Sequence, residues 1–414
     1  MAKKYVVGIC DDEAANREAW GKELSAIREF SEQFEVKLLV AENQDGEFAI
    51  ALKDLAARRL QARTGIVDDT RQNIFDSLDL LIVDYDLIRA AHGEWITGEE
   101  VAYLARCYSK CKIIIAVNQF GSNPFDLNLN FYFPESFADL NLGDRQVTNR
   151  GLWMTDWGQG FRPWYWPLVP KLIADFDKRV KDVLDNPDQP IKELLGFNEE
   201  AWSILPRDTV SVFSHRKLSK PVDQLTVREI IEDSSIGLRP RDRIMNDGAL
   251  ARIAAARIAQ WLDNAVLSAQ DILVDAAHLV ERYRSLTGTE NPSLEQLNRF
   301  VRILSPKGYD FDARLDKMSF EKFHWLSRPA WYWPDVSRAE WIKEVNDPWA
   351  ASVPDTFFCE DISRFVPFGQ TREFRISVPS VYNMRRCIDP QAEGAAVWAS
   401  LSSVDYQPNV RLME

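Results

Sequence analysis

Two short, unbroken apolar runs constrain this chain more than anything else in it: residues 78–83 (LDLLIV) and 112–117 (KIIIAV). A half-exposed strand would alternate apolar and polar side chains. Runs this short and continuous instead suit strands of a parallel sheet covered on both faces. Residues 4–10 (KYVVGIC) and 36–40 read as two further strands, and a weaker fifth falls at 137–142. Segments with helical spacing lie between them. Residues 14–34 place Trp20, Leu24, Ile27 and Phe30 on one face, residues 47–63 are rich in Ala, Leu and Arg, and a third helix runs from Thr97 or Gly98 to Lys110. Strands alternating with helices predict an α/β fold, a doubly wound parallel five-stranded sheet over residues 1–145, followed by a mainly helical α+β C-terminal region.

In such sheets ligands collect beyond the carboxyl ends of the strands. Here those ends carry Asp11, Asp12 and Asp84. Three carboxylates brought together repel one another unless a hard cation joins them, and oxygen ligands with waters suit Mg²⁺. A phosphoryl donor at such a site would meet a charge-neutralising metal and a carboxylate able to attack it. The simpler reading of adjacent acids after a strand is a solvated loop or a helix cap, and Asp12 would serve as a cap.

The pattern VVGICDDEAANREAW, then LDLLIVDYDL, then CKIIIAVN resembles the receiver domain of two-component response regulators, a flavodoxin-like fold, over about a third of the chain. The resemblance implies that Asp11 and Asp12 are the acidic pair that binds Mg²⁺ and that Asp84 is the phosphoacceptor. It also makes the main-chain carbonyl of Asp86 a metal ligand and a histidine kinase or phosphotransfer protein the partner. Val117 or Asn118 falls where the family places a Ser or Thr hydroxyl, and Asn118 offers an amide there. Arg145 is the nearest cation to the position of the family's lysine. Between Asp12 and Asp84 the chain is longer than the family's pattern, and the surplus is assigned to a loop insertion at 65–77.

The remainder carries fewer signals. A boundary is expected between Gly143 and Pro170, with an aromatic and proline-rich connection at 146–170 and a C-terminal region of undefined job at 171–414. Within the connection RPWYWP (162–167) resembles RPAWYWP (328–334). Two copies are too few for a repeat array, so they are read as packing at seams between subdomains, or as paired aromatic surfaces for a partner. A helix is expected at 171–184 and the longest helical stretch, as one helix or two, at 247–286, where it would be buried or form a homodimer seam. Residues 354–386 read as a small sheet or a long hairpin. Arg239, Arg241, Arg243, Arg252 and Arg257 form the best basic cluster, but acids surround it and no recognition helix follows, so nucleic acid is not an expected partner. Cys359, Glu360 and Asp361 stand side by side with no histidine near them in sequence. His92, His215, His278 and His324 are scattered, outside any metal motif.

Composition bounds the function classes. With 414 residues, 46% of them hydrophobic, the chain can bury a large core, and its net charge of −13 gives no global attraction to nucleic acid or anionic membrane. Five scattered cysteines suggest a reducing compartment, and no apolar stretch has the length of a membrane span or a secretory leader, so the expectation is cytoplasmic. Three readings stay open: a phosphoacceptor switch or phosphate sink, a pseudo-receiver adaptor that binds partner proteins, and a receiver-gated effector enzyme. The absence of catalytic motifs argues for a phosphoacceptor over a dedicated catalyst.

Overall fold

The structure, a computed structural model, describes residues 4–41, 46–65, 72–87, 96–118, 136–158, 160–164, 166–214, 220–289, 291–304, 308–309, 311–342, 355–374 and 386–389. Its sheet is built from β1 (Tyr5–Asp11), β2 (Phe34–Val40), β3 (Leu80–Asp84), β4 (Ile113–Asn118) and β5 (Leu140–Gly143). Every pairing is parallel and the order is β2-β1-β3-β4-β5. The two apolar runs supply β3 and β4. Successive side chains on a strand point to opposite faces, and those of Leu80–Asp84 and of 113–117 are all buried. Both faces of the sheet are therefore covered at its centre.

The first helical segment breaks where a single helix over 14–34 was expected. Helix α1 (Ala14–Ala26) stops at Ile27, whose backbone is extended, and a short α2 (Arg28–Gln33) leads into β2 at Phe34. Chain length explains the break. The 13 residues of α1 rise about 20 Å, close to the span of about 23 Å for the strand they must run back along, and a straight helix to residue 34 would overshoot. Phe30 then stacks on Phe34 at 4.7 Å and meets the edge of Trp153 at 4.9 Å, which fixes the corner.

Helix α3 (Glu47–Thr64) ends on Gly65, whose φ of +75° closes the helix without a Cβ penalty. Within the expected insertion at 65–77, residues 73–77 form regular structure. Asn73 and Asp76 form a capping box around the turn Ile74–Ser77, and Asp76 pairs with Arg58 of α3 at 2.9 Å; residues 66–71 lie outside the described residues. Helix α4 (Gly98–Tyr108) starts on Thr97, whose hydroxyl oxygen accepts the Glu100 N–H.

Beyond the sheet come α5 (Arg150–Trp153) and α6 (Val169–Asp185). The latter begins two residues earlier than expected because Pro170 sits in its first turn, where a missing N–H costs nothing. The long stretch 247–286 is neither one helix nor two simple ones. A helix covers Asp247–Trp261, a π turn and a 3₁₀ turn carry the chain to Ala269, and strand β6 (Leu273–Asp275) precedes the helix Ala276–Arg282. Gln270 makes the reversal with a φ of +55°, and its side chain holds the turn: Nε2 donates to Leu267 O at 2.7 Å while Oε1 accepts the Asp275 N–H at 3.0 Å. β6 pairs antiparallel with β7 (Ala330–Tyr332). The expected C-terminal sheet is present as β8 (Thr356–Cys359), β9 (Arg364–Pro367), β10 (Arg372–Phe374) and β11 (Arg386–Ile388), in the order β10-β11-β8-β9; residues 375–385 lie outside the described residues.

Buried apolar residues form one contiguous cluster running from Val7 to Ile388. Helix Asp247–Trp261 packs on both α4 and α6, so α4 is buried at Gly98 and throughout Val101–Tyr108, an all-round burial that a surface helix never shows. Three of the five clustered arginines turn inward for the same reason. Arg239 pairs with Glu100, Arg252 donates to Ser109 O at 3.1 Å, and the fully buried Arg257 donates to Ile236 O at 2.9 Å. The two RP…WYWP motifs also meet. Arg328 lies 5.1 Å from the centre of the Trp164 ring, and the carbonyl of Trp166 accepts from both Arg162 and Arg328.

Candidate metal-binding carboxylate site

Asp11 is the last residue of β1 and Asp84 the last of β3, and these strands are neighbours with Cys10 opposite Val83. Parallel register therefore puts both carboxylates side by side at the carboxyl edge of the sheet. Asp11 is fully buried and Asp84 is 2% exposed. Asp12, in the loop that follows β1, is half-buried, and one oxygen from each of the three carboxylates lies within 4.8 Å of the others. Among the described residues this is the one group of three acidic, histidine or cysteine side chains placed to share a metal ion.

Each buried carboxylate has one oxygen tied to the backbone and one with no partner. Asp11 Oδ1 accepts the Glu13 N–H at 2.6 Å, and Asp84 Oδ2 accepts the Asp86 N–H at 3.1 Å. Asp11 Oδ2 and Asp84 Oδ1 are buried without a hydrogen-bond partner. A buried acceptor left unpaired is costly, and an unpaired buried charge more so. Arg17 places Nη1 on the main-chain carbonyl of Asp11 at 2.7 Å. The electrostatics follow: burial, and then the neighbouring Asp11 charge, push Asp84 up to about 7, and burial likewise raises Asp11. A hard divalent cation fits this donor set. Adjacent oxygens in an octahedral Mg²⁺ shell sit about 3 Å apart and opposite ones about 4.2 Å, so three oxygens within 4.8 Å of one another gather around one ion by closing up to about 2 Å.

Gly98 is a residue that pattern reading missed. A Cβ there would lie 2.2 Å from the carbonyl oxygen of Asp84 and 2.8 Å from Tyr85 Cα. The Gly98 N–H donates to Tyr85 O at 2.8 Å, and Asp86 bridges to Thr97. The amino end of α4 is thus stitched to the strand end that carries Asp84. A glycine between a capping threonine and two glutamates was the available signal. Of the other expected site residues, Asp86 contributes its N–H. Asn118 ends β4 opposite Gly143, and Arg145 lies in the turn Asp144–Gln146 just after β5; the side chains of both lie outside the described residues.

A second cluster appears where sequence spacing gave no reason to look. His278 Nδ1 lies 2.9 Å from Asp275 Oδ1 and Nε2 lies 3.2 Å from Glu360 Oε1, while Trp164 Nε1 donates to Glu360 Oε2 at 2.7 Å. Burial alone would lower the imidazole's pKa, but Asp275 and Glu360 together raise it. The ring lies edge-on between Trp164 and Phe358 and is 1% exposed, so no substrate atom reaches it and the group acts as a clasp between the helix Ala276–Arg282 and β8. Its only sequence trace is Asp275 three residues before His278, a cap and the first turn it closes. Cys359 beside it is fully buried, as a small apolar residue would be, and burial raises its thiol well above the ordinary range. His324 pairs with Asp182 at 2.8 Å, and His92 and His215 lie outside the described residues.

Fold and site together define a parallel α/β protein with a carboxylate triad at the carboxyl edge of its sheet. No family model, curated protein or solved structure matches the chain. Among the described residues no helix is long and apolar enough to cross a membrane.

Proposed function

We propose that this protein is a phosphoacceptor of the response-regulator receiver type, with Asp84 as the accepting carboxylate and Mg²⁺ as its cofactor. The observation that carries the reading is the pair of buried, unpartnered oxygens Asp11 Oδ2 and Asp84 Oδ1, converging with Asp12 at the edge of a sheet of order β2-β1-β3-β4-β5. That order is the one found in flavodoxin-like folds. Asp11 and Asp12 would hold the metal with Asp84. Bound there, Mg²⁺ supplies charge neutralisation for an incoming phosphoryl group.

The chain's own groups do the rest. The Asp86 N–H orients the Asp84 carboxylate, one oxygen of which would face the metal while the other attacks. The attacking oxygen forms a bond to phosphorus as the donor's bond to phosphorus breaks, and the leaving group departs with that electron pair. A phosphohistidine of a kinase or phosphotransfer protein is the fitting donor, and the setting is cytoplasmic. Incubation with a small acyl phosphate and Mg²⁺, followed by intact-mass measurement, tests this: a single phosphoryl adduct that disappears with EDTA and with Asp84→Asn is expected. An unmodified mass under those conditions sinks the phosphoacceptor reading.

A second reading, a pseudo-receiver adaptor that binds partner proteins without phosphorylation, is favoured by one feature, the Val117-Asn118 end of β4 where receivers carry a hydroxyl. It predicts that Asp84→Asn leaves partner binding intact.

A further inference from the structure

The recurring RP…WYWP motif plays no part in the acid site, yet its two arginines, 166 positions apart in sequence, line one cleft together with Trp157, Asp275, Arg302 and Tyr309. Arg162 is 5% exposed. Its guanidinium donates to the carbonyls of Gly151 at 3.0 Å, Pro163 at 3.3 Å and Trp166 at 2.7 Å, and to Ser363 Oγ at 3.2 Å. None of those acceptors is charged. The Trp157 ring lies 4.6 Å from the same guanidinium. Arg328 is held loosely by comparison, with Nη1 3.4 Å from Asp275 Oδ2 and Nη2 3.4 Å from the Trp166 carbonyl. Its Nε is buried with no partner.

Asp275, the one carboxylate paired with Arg328 among the described residues, is already committed: Oδ1 lies 2.9 Å from His278 Nδ1 and accepts the His278 N–H at 3.0 Å. Arg328, its side chain 11% exposed, thus has only part of that carboxylate, and among the described residues the buried Arg162 has no ion pair. Burial and the nearby Arg328 both disfavour the charge on Arg162. A buried guanidinium without a counter-charge is disfavoured, and an anion between the two arginines would offset that. Arg302 lines the same cleft with its side chain 42% exposed and Asp156 Oδ1 3.8 Å from its Nη1, adding a third, partly neutralised cation on the solvent side. Size narrows the ligand. The cleft is partly open to solvent and its inner part, about 20 Å³, has room for one or two water-sized atoms, so it admits the head of a small group but not a nucleotide.

We propose that this cleft binds a compact oxyanion, a phosphate or carboxylate group, through Arg328 and Arg162, with Arg302 on its solvent side. The loosely held Arg328 guanidinium can offer a fork to either group, while Arg162, whose Nε, Nη1 and Nη2 already donate to neutral acceptors, contributes chiefly its charge. The proposal stands apart from the chemistry of Asp84.

Calorimetric titration of the full chain, freed of divalent cations and chloride, tests it with inorganic phosphate in one arm and acetate in the other. One-to-one binding at millimolar affinity or tighter is expected in at least one arm, and the preferred arm tells a phosphate ligand from a carboxylate one. Arg328→Gln should weaken binding at least tenfold, while Asp84→Asn should leave it unchanged. If circular dichroism shows that Arg328→Gln does not fold, Arg302→Gln, at a more exposed position, must weaken binding at least threefold. No saturable binding in either arm, or binding by folded Arg328→Gln and Arg302→Gln equal to that of the wild type, overturns the assignment.

Discussion

Asp84 carries a proton at a pH where an ordinary aspartate has long lost it, and the reason is its burial beside Asp11. With a folded value of about 7 against an unfolded value near 4, the unfolded state ionises first as pH rises. This carboxylate therefore removes stability between about pH 4 and pH 7 and imposes a constant cost above that. Thermal melts in EDTA should show the protein losing stability across that window, and melts in Mg²⁺ should recover it, most strongly above pH 7. Asp84→Asn should raise the EDTA melting point, by about 1–3 kcal/mol in stability, and flatten its pH dependence. A wild-type melting point unchanged by Mg²⁺ at pH 8 would count against the metal site. Gly98→Ala belongs to the same scale. Its Cβ would meet a backbone carbonyl that cannot move without shifting Asp84, so a loss of at least about 2 kcal/mol is expected in denaturant melts, together with weaker metal binding.

At the level of elements, the contact between α3, α4 and the segment after Ser235 is set by one side chain. Asp242 is 2% exposed and accepts from Arg59 at 3.0 Å, from Arg63 at 2.6 Å and from the Tyr103 hydroxyl at 2.5 Å. Glu100, in the first turn of α4, closes the group by pairing with Arg59 and Arg239. Burial alone would raise the Asp242 carboxyl, but Arg59, Tyr103 and Arg63 hold it below the usual range. Asp242→Ala would leave Arg59 with Glu100 alone and take the acceptor from Arg63 and the buried Tyr103 hydroxyl, a loss of about 2–4 kcal/mol discounted for the partial exposure of Arg59 and Arg63. Urea unfolding monitored by tryptophan fluorescence measures it. A change below about 1 kcal/mol would mean that apolar packing alone holds this seam.

Over the whole molecule, the helix layer next to the sheet is itself an interior layer. Arg106 of α4 is 1% exposed, pairs with Asp139 and lies 5.5 Å from the Phe176 ring of α6, and Arg179 of α6 donates to Ala255 O at 3.3 Å. A fragment ending at residue 145 would expose the outer face of α4 and leave Arg106 beside solvent-exposed apolar surface. Such a fragment is expected to aggregate or to lack a cooperative melt, whereas the full chain melts cooperatively; a well-dispersed amide spectrum from residues 1–145 would show the opposite.

What the sequence determined alone was the part governed by local periodicity. Unbroken apolar runs mean strands covered on both faces, so β3 and β4 and the helices between strands were legible, and with them the meeting of Asp11, Asp12 and Asp84 at one edge. Parallel strands have to end together there. Tertiary structure decided whatever depends on chain length or on distant partners. It broke the helix at Ile27 because the return path is no longer than β1, and it turned the long stretch 247–286 back at Gln270 so that β6 could pair with β7. It brought His278 to Glu360, 82 positions away, and Arg162 to the cleft that Arg328 also lines. It also gave α4 its all-round burial. Desolvation acts the same way: an aspartate at a strand end is visible in the sequence, but the proton it retains comes from which atoms surround it, and those arrive from every part of the chain.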